Sequence, residues 1–112
     1  MKPTKKAGIK KGFYYHYKHR DTHGIDDYAY RVLGLARHSE TKEPLVLYRP
    51  VYENTYLAPA DVSARPLSMF LETVEVGARR KRRFRPITDR RTIALLSAAD
   101  RKLHGKGDPL RK

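Results

Sequence analysis

Three arginines and a histidine mark the positions at which this sequence could do chemistry: Arg37, His38, Arg49 and Arg65. Arg37 and His38 close the β-prone stretch that opens at Tyr28, Arg49 closes the return stretch from Leu45, and Arg65 opens a turn expected to pack close by. Guanidinium forks match the oxygens of phosphate or carboxylate bidentately, so three converging forks predict an anion pocket. His16 and Tyr48 are counted with them as ligand-binding candidates. The competing use of these arginines is internal: Arg37 and Arg65 can pair with Glu40 or Glu72 and simply hold loops, at a gain of ~0–1 kcal/mol per surface pair.

Other chemistries find less support. Ser39 lies between His38 and Glu40, but adjacent residues of an extended chain point apart, so no Ser-His-acid triad forms locally. Neither G-x-S-x-G, nor a phosphate-binding glycine loop, nor H-E-x-x-H occurs. No catalytic residue is assigned, and a non-enzyme is expected. His16, His19 and His23, with Asp21, Asp26 and Asp27 nearby, match no structural zinc spacing, so no metal or other cofactor is expected. The eight tyrosines divide between two uses. Beside basic groups they can stack nucleobases, whereas alternating along a strand they fill one face of a sheet.

Charge is the strongest compositional signal, and it is unevenly placed. The chain has 112 residues and a net charge of +13. Residues 1–24 carry seven Lys/Arg against Asp21, residues 25–76 five against eight acids, and residues 77–112 thirteen against three. A mildly acidic centre is thus flanked by two basic ends, a common footprint of phosphate contact. Arg79, Arg80, Lys81, Arg82, Arg83 and Arg85, with Lys10 and Lys11, are the expected nucleic-acid contacts. There is no cysteine, which excludes disulfides and thiolate sites and fits a reducing compartment. No apolar run approaches the ~18 residues of a membrane span, and the basic start lacks the apolar segment of a secretory signal.

The elements that must position these side chains are mostly strands. Residues 1–11 read as a disordered basic arm, and Phe13 to Tyr17 as an aromatic first strand. Lys18 to Asp27 reads as a polar loop. Tyr28 to Leu33 alternates with period two, and Gly34 suggests a bulge. His38 to Pro44 connects to the return strand, after which Pro50 is expected to prevent a central ladder from continuing. Glu53 to Ala64 reads as a long loop, Leu67 to Leu71 as a short helical or 3₁₀ turn, and Thr73 to Val76 as a further strand. Within ARRKRRFRP, Phe84 alone could anchor a strand. A helix is predicted over 89–104, capped by Thr88-Asp89, with Ile93, Leu96, Ala99 and Leu103 on one face joined by Leu95. Gly105 and Gly107-Asp108-Pro109 should stop it.

Several of these pieces together resemble a known family. Gly12-x-Tyr14-x-His16-Tyr17-Lys18 is followed by Tyr30-x-Val32-Leu33-Gly34-x-Ala36-Arg37-His38-Ser39-Glu40-Thr41 and Leu45-Val46-x-Tyr48-Arg49. Arg65-Pro66-Leu67-x-Met69-Phe70-x-Glu72-x-Val74 then completes the pattern. This order is similar to the bacterial domain of unknown function 1653 (DUF1653) over residues 12–76, and Arg83 to Ile87 resembles the family's end. The resemblance implies a mainly β, SH3-like barrel of bacterial, cytoplasmic type and brings no established activity. Three features depart from the family: the 18–27 insertion, Val62-Ser63-Ala64 where a tryptophan is usual, and the basic extensions at both ends.

The sequence therefore predicts a disordered arm (1–11), an SH3-like barrel domain (12–87) and a basic C-terminal helix and tail (88–112). The expected partner is nucleic acid, RNA ahead of DNA, with no membrane. A small anionic ligand or nucleotide bound at Arg37, His38, Arg49 and Arg65 is the alternative, and a peptide-binding groove is the third reading.

Overall fold

The computed structural model describes residues 9–52 and 62–104. Most of the predicted N-terminal arm, the centre of the Glu53 loop and the glycine-rich stop after the helix lie outside the described residues.

Among the described residues seven strands and two helices follow in order: β1 (Gly12–His16), β2 (Ala29–Arg37), β3 (Pro44–Pro50), β4 (Ser63–Pro66), α1 (Leu67–Phe70), β5 (Thr73–Val76), β6 (Arg79–Arg82), β7 (Phe84–Pro86) and α2 (Arg90–His104). A 3₁₀ turn at Asp21–His23 lies in the loop between β1 and β2. Five strands form one antiparallel sheet in the order β4-β3-β2-β1-β7, and β5 and β6 pair as a separate hairpin. The bulge falls where Gly34 suggests: Val32 faces Tyr48 and Gly34 faces Leu47, leaving Leu33 as the extra residue.

One sequence expectation is corrected. Ser63 to Pro66, read as the end of a loop and the start of a turn, is an edge strand paired with Leu45 to Tyr48. Pro50 is the last residue of β3, which up to that point is held between β2 and β4.

Both faces of the sheet are covered, which the aromatic run of β1 explains. Phe13 and Tyr15 point one way and Tyr14 the other, and all three are buried. On the first face Tyr14, Val32, Val46 and Tyr48 pack with Phe70 of α1 and Phe84 of β7. On the second, Phe13, Tyr15, Ala29 and Val51 pack against Leu96 of α2, with Ile93 and Ile87 at the margin.

The sheet is not hydrogen-bonded into a closed barrel, but it curls strongly. In a flat sheet β3 and β7 would stand ~14 Å apart and β4 and β7 ~19 Å apart. Yet the rings of Tyr48 and Phe84 are centred 5.6 Å apart, and the Arg65 guanidinium lies 5.6 Å from the centre of Phe84. The two edges thus face each other across a core in which Phe70 and Phe84 stack at 4.1 Å, 2° from parallel.

The helix begins one residue beyond the predicted cap. Asp89 accepts hydrogen bonds from the backbone N–H and hydroxyl of Thr92, at 2.8 and 2.7 Å. The predicted face turns inward, with Leu96 buried and Ile93 packed beside it, but it includes the buried Asp100 and leaves Leu95 half exposed. Spacing of four carries this face on to His104, whose Nε2 lies 2.7 Å from the Pro50 carbonyl.

Candidate nucleic-acid interface

The four residues expected to converge on an anion do not meet. Strand register puts Arg49 opposite Arg31 on the face covered by α2, and Arg65 opposite Val46 on the other. Arg49 is buried, and its fork grips Asp100, Nε to Oδ1 at 3.2 Å and Nη2 to Oδ2 at 3.0 Å. Arg31 donates to the same carboxylate at 2.7 Å. These two arginines join the helix to the sheet, so Arg49 is an internal tie.

Arg65 is half-buried and donates through Nε to the Tyr48 hydroxyl at 3.0 Å. Tyr48 itself is a core residue. Arg37 is exposed at the end of β2. His38 builds the β2–β3 turn: its Nδ1 accepts from the backbone N–H groups of Glu40 and Thr41, at 3.1 and 3.2 Å.

His16 does lie near Arg65, both of them against Phe84. Burial, reinforced by the positive charges of Lys18, Arg65 and Arg83, lowers its pKa to about 4. The ring is therefore neutral at physiological pH, and its Nδ1 accepts from the Lys18 N–H at 3.2 Å. Nearby, Tyr30 and Tyr52 share a hydroxyl hydrogen bond of 2.6 Å, and burial raises both phenols above the ordinary range.

The basic run has a definite shape. Arg79 to Arg82 form β6, fully exposed, and the turn that reverses the chain from β5 uses Gly77 at φ 65°. Arg80 makes one long contact with Glu75, 3.8 Å between two exposed side chains. Arg83 plays a different part: its backbone N–H and Nη2 bond the carbonyl and side chain of Glu72, at 2.8 and 2.9 Å, while its carbonyl accepts from Tyr17 N–H. It latches the hairpin to the sheet. Arg85 is exposed, with its guanidinium 5.1 Å from the Tyr15 ring.

Between this hairpin and the inserted loop lies a groove made of two adjoining hollows, about 590 and 490 Å³, which share Tyr17, His19 and Lys81. The larger reaches Lys18, Arg20 and Tyr28, and the smaller reaches Arg82, Arg85 and Pro86. Pro86 also borders a third hollow of about 550 Å³, edged by Lys10 and Lys11. Cations from the first strand's approach, the inserted loop and the hairpin thus lie along one connected surface.

The loop wall is firmly built. His19 Nδ1 donates to the Asp27 carbonyl at 2.6 Å, its Nε2 meets Asp21 at 2.8 Å, and its ring stacks on Tyr15 at 3.6 Å. The sequence offers Tyr17 and Tyr28 only among eight tyrosines able to stack bases, and it gives Lys18 and Arg20 no role because they fall in or beside an apparent insertion. Their signal was an aromatic–basic mixture flanking that loop, the same mixture that suggests base contact elsewhere.

No curated protein matches the sequence. The crystal structure of a DUF1653 protein from Bordetella bronchiseptica is similar, with 34% identity and a TM-score of 0.56 over 72% of this chain and 94% of that one. The family model described as a protein of unknown function (DUF1653) matches residues 12–86, from the first strand of the sheet to the last, and on that match the chain belongs to the DUF1653 family.

Proposed function

We propose that this protein is a non-enzymatic nucleic-acid-binding module, with RNA favoured over DNA, acting in the bacterial cytoplasm. The observation that carries the reading is the connected basic surface. Arg79, Arg80, Lys81 and Arg82 are exposed along β6, Lys81 lines the larger hollow with Lys18 and Arg20, and Arg82 lines the adjoining one. Exposed cations on a regular spacing neutralise successive phosphates and release their counterions. The curled sheet behind them serves as a rigid scaffold, and we read it as an SH3-like barrel whose edges approach around Phe84 without pairing.

The alternative of a small-anion pocket at Arg37, His38, Arg49 and Arg65 draws no support from their separation onto two faces and a turn. Binding to mixed single-stranded RNA and to duplex DNA, measured by fluorescence anisotropy across a salt series, tests the proposal. Affinity is expected to fall steeply with salt yet persist at physiological ionic strength. Changing Arg79, Arg80, Lys81 and Arg82 together to Gln should lower the log–log slope by about 3, the share of four phosphate contacts. Loss of all binding at physiological salt for both polymers would overturn the reading.

A further inference from the structure

The groove has a feature that phosphate neutralisation does not require: aromatic rings in its lining. Tyr17 and Tyr28 both line the larger hollow, and the His16 ring contacts each of them. The His16 ring is centred 4.5 Å from Tyr17 and 5.5 Å from Tyr28, within 34° and 28° of parallel. The His16 ring thus stacks on Tyr28 and lies tilted against Tyr17, and both tyrosines border the cavity. Stacking on such a platform is how unpaired bases are held, because every base has a π-face and a paired, stacked duplex offers none.

Two further observations point the same way. Tyr28 takes φ 50°, a conformation that a bulky side chain adopts only at a cost, and its carbonyl is pinned by the His16 N–H at 3.0 Å. That unusual backbone sets the ring at the groove's edge. Around the rings, Lys18, Arg20, Lys81, Arg82 and Arg85 are all exposed. Among the described residues none has a carboxylate within ion-pairing distance. Each hollow has the volume of a small-ligand site, enough for a nucleotide unit.

We infer that the groove between the inserted loop and the β5–β6 hairpin takes single-stranded nucleic acid, stacking unpaired bases on Tyr17 and Tyr28 with the adjoining phosphates on Lys18, Arg20 and Lys81. This rests on the nucleic-acid reading above and adds to it a preference for unpaired strands. A duplex meets only the outer cations of the hairpin. The neutral His16 ring backs the stack without adding a charge of its own.

The test uses the full chain and a ten-nucleotide strand carrying 2-aminopurine, as RNA and as DNA, each alone and annealed to its complement. Two substitutions remove the stack while sparing the fold. Tyr17→Leu keeps an apolar side chain, and Tyr28→Asn supplies a residue that tolerates positive φ. The wild type is expected to bind the single strand more tightly than the duplex and to quench 2-aminopurine. Each variant should lose roughly 5- to 150-fold in single-strand affinity, the range of one stacking contact. Duplex affinity and its salt slope should be unchanged.

Equal loss for single strand and duplex would overturn the inference, and so would full single-strand affinity in both variants or a complex without quenching. In those cases salt-dependent binding by the hairpin still stands, so the two readings fail separately. A difference between the RNA and DNA strands identifies whether the 2′-hydroxyl contributes.

Discussion

Asp100 is the residue on which the helix and the sheet depend for their joint register. It is buried, its two oxygens are held by the Arg49 fork, and Arg31 closes the site from the solvent side. Removing one member of a buried pair leaves the other charged and dry, which costs about 3–5 kcal/mol. Asp100→Ala should therefore lower unfolding stability in urea by that order, and Asp100→Asn by less, since the amide oxygen can still accept one bond. A variant as stable as wild type would show that Arg49 finds another partner.

His16 makes a prediction about pH. An unfolded-state histidine titrates near 6.5, whereas the folded ring resists protonation until about pH 4. Between those values the unfolded state binds the extra proton. The contribution of His16 to stability is thus complete above pH 6.5 and declines as pH falls toward 4. His16→Phe should flatten this part of the stability profile. An NMR titration in which the His16 ring protonates near pH 6.5 would refute the shift.

At the scale of elements, α2 lies beyond the family match yet completes the second core of the sheet. A chain ending at Ile87 would expose Phe13, Tyr15 and Val51 and strand Arg49. It is expected to lose its cooperative unfolding transition and to bind a hydrophobic dye; a sharp transition without dye binding would mean that the sheet stands alone. The β5–β6 hairpin depends on a smaller device. Nothing lies within 4 Å of a Cβ built on Gly77, so its φ of 65° is the whole constraint. Gly77→Ala should cost about 1–2 kcal/mol through the left-handed backbone, and Gly77→Asn less. Hydrogen exchange at Val76 and Arg79 reads this locally.

Across the whole molecule, charge and packing follow different divisions of the chain. Positive charge concentrates in residues 77–112, which suggests a tail, yet this region contributes β6, β7 and α2 to the folded unit. Because the sheet is shared by two cores, helix ellipticity and tyrosine absorbance should report one coincident unfolding transition. Two separated midpoints would show that the helix detaches first. Among the described residues no helix is long and apolar enough to cross a membrane.

Local pattern was enough to read much of this from the sequence. An aromatic run located β1 and alternation β2 and β5, the lone glycine announced the bulge at Leu33, and Asp89 with the apolar spacing marked α2. These features depend on neighbours within a few residues, so the linear order contains them. The site was less legible because its decisive contacts join residues far apart in the chain. Arg49 looks like a ligand-binding arginine until Asp100, 51 positions later, takes its fork. His38 looks like a chemical group until the turn claims its nitrogen. Which face of a curled sheet a side chain occupies is set by register and bulge. Whether an arginine there is free or paired is set by the element packed against it, and only tertiary structure brings that element into place.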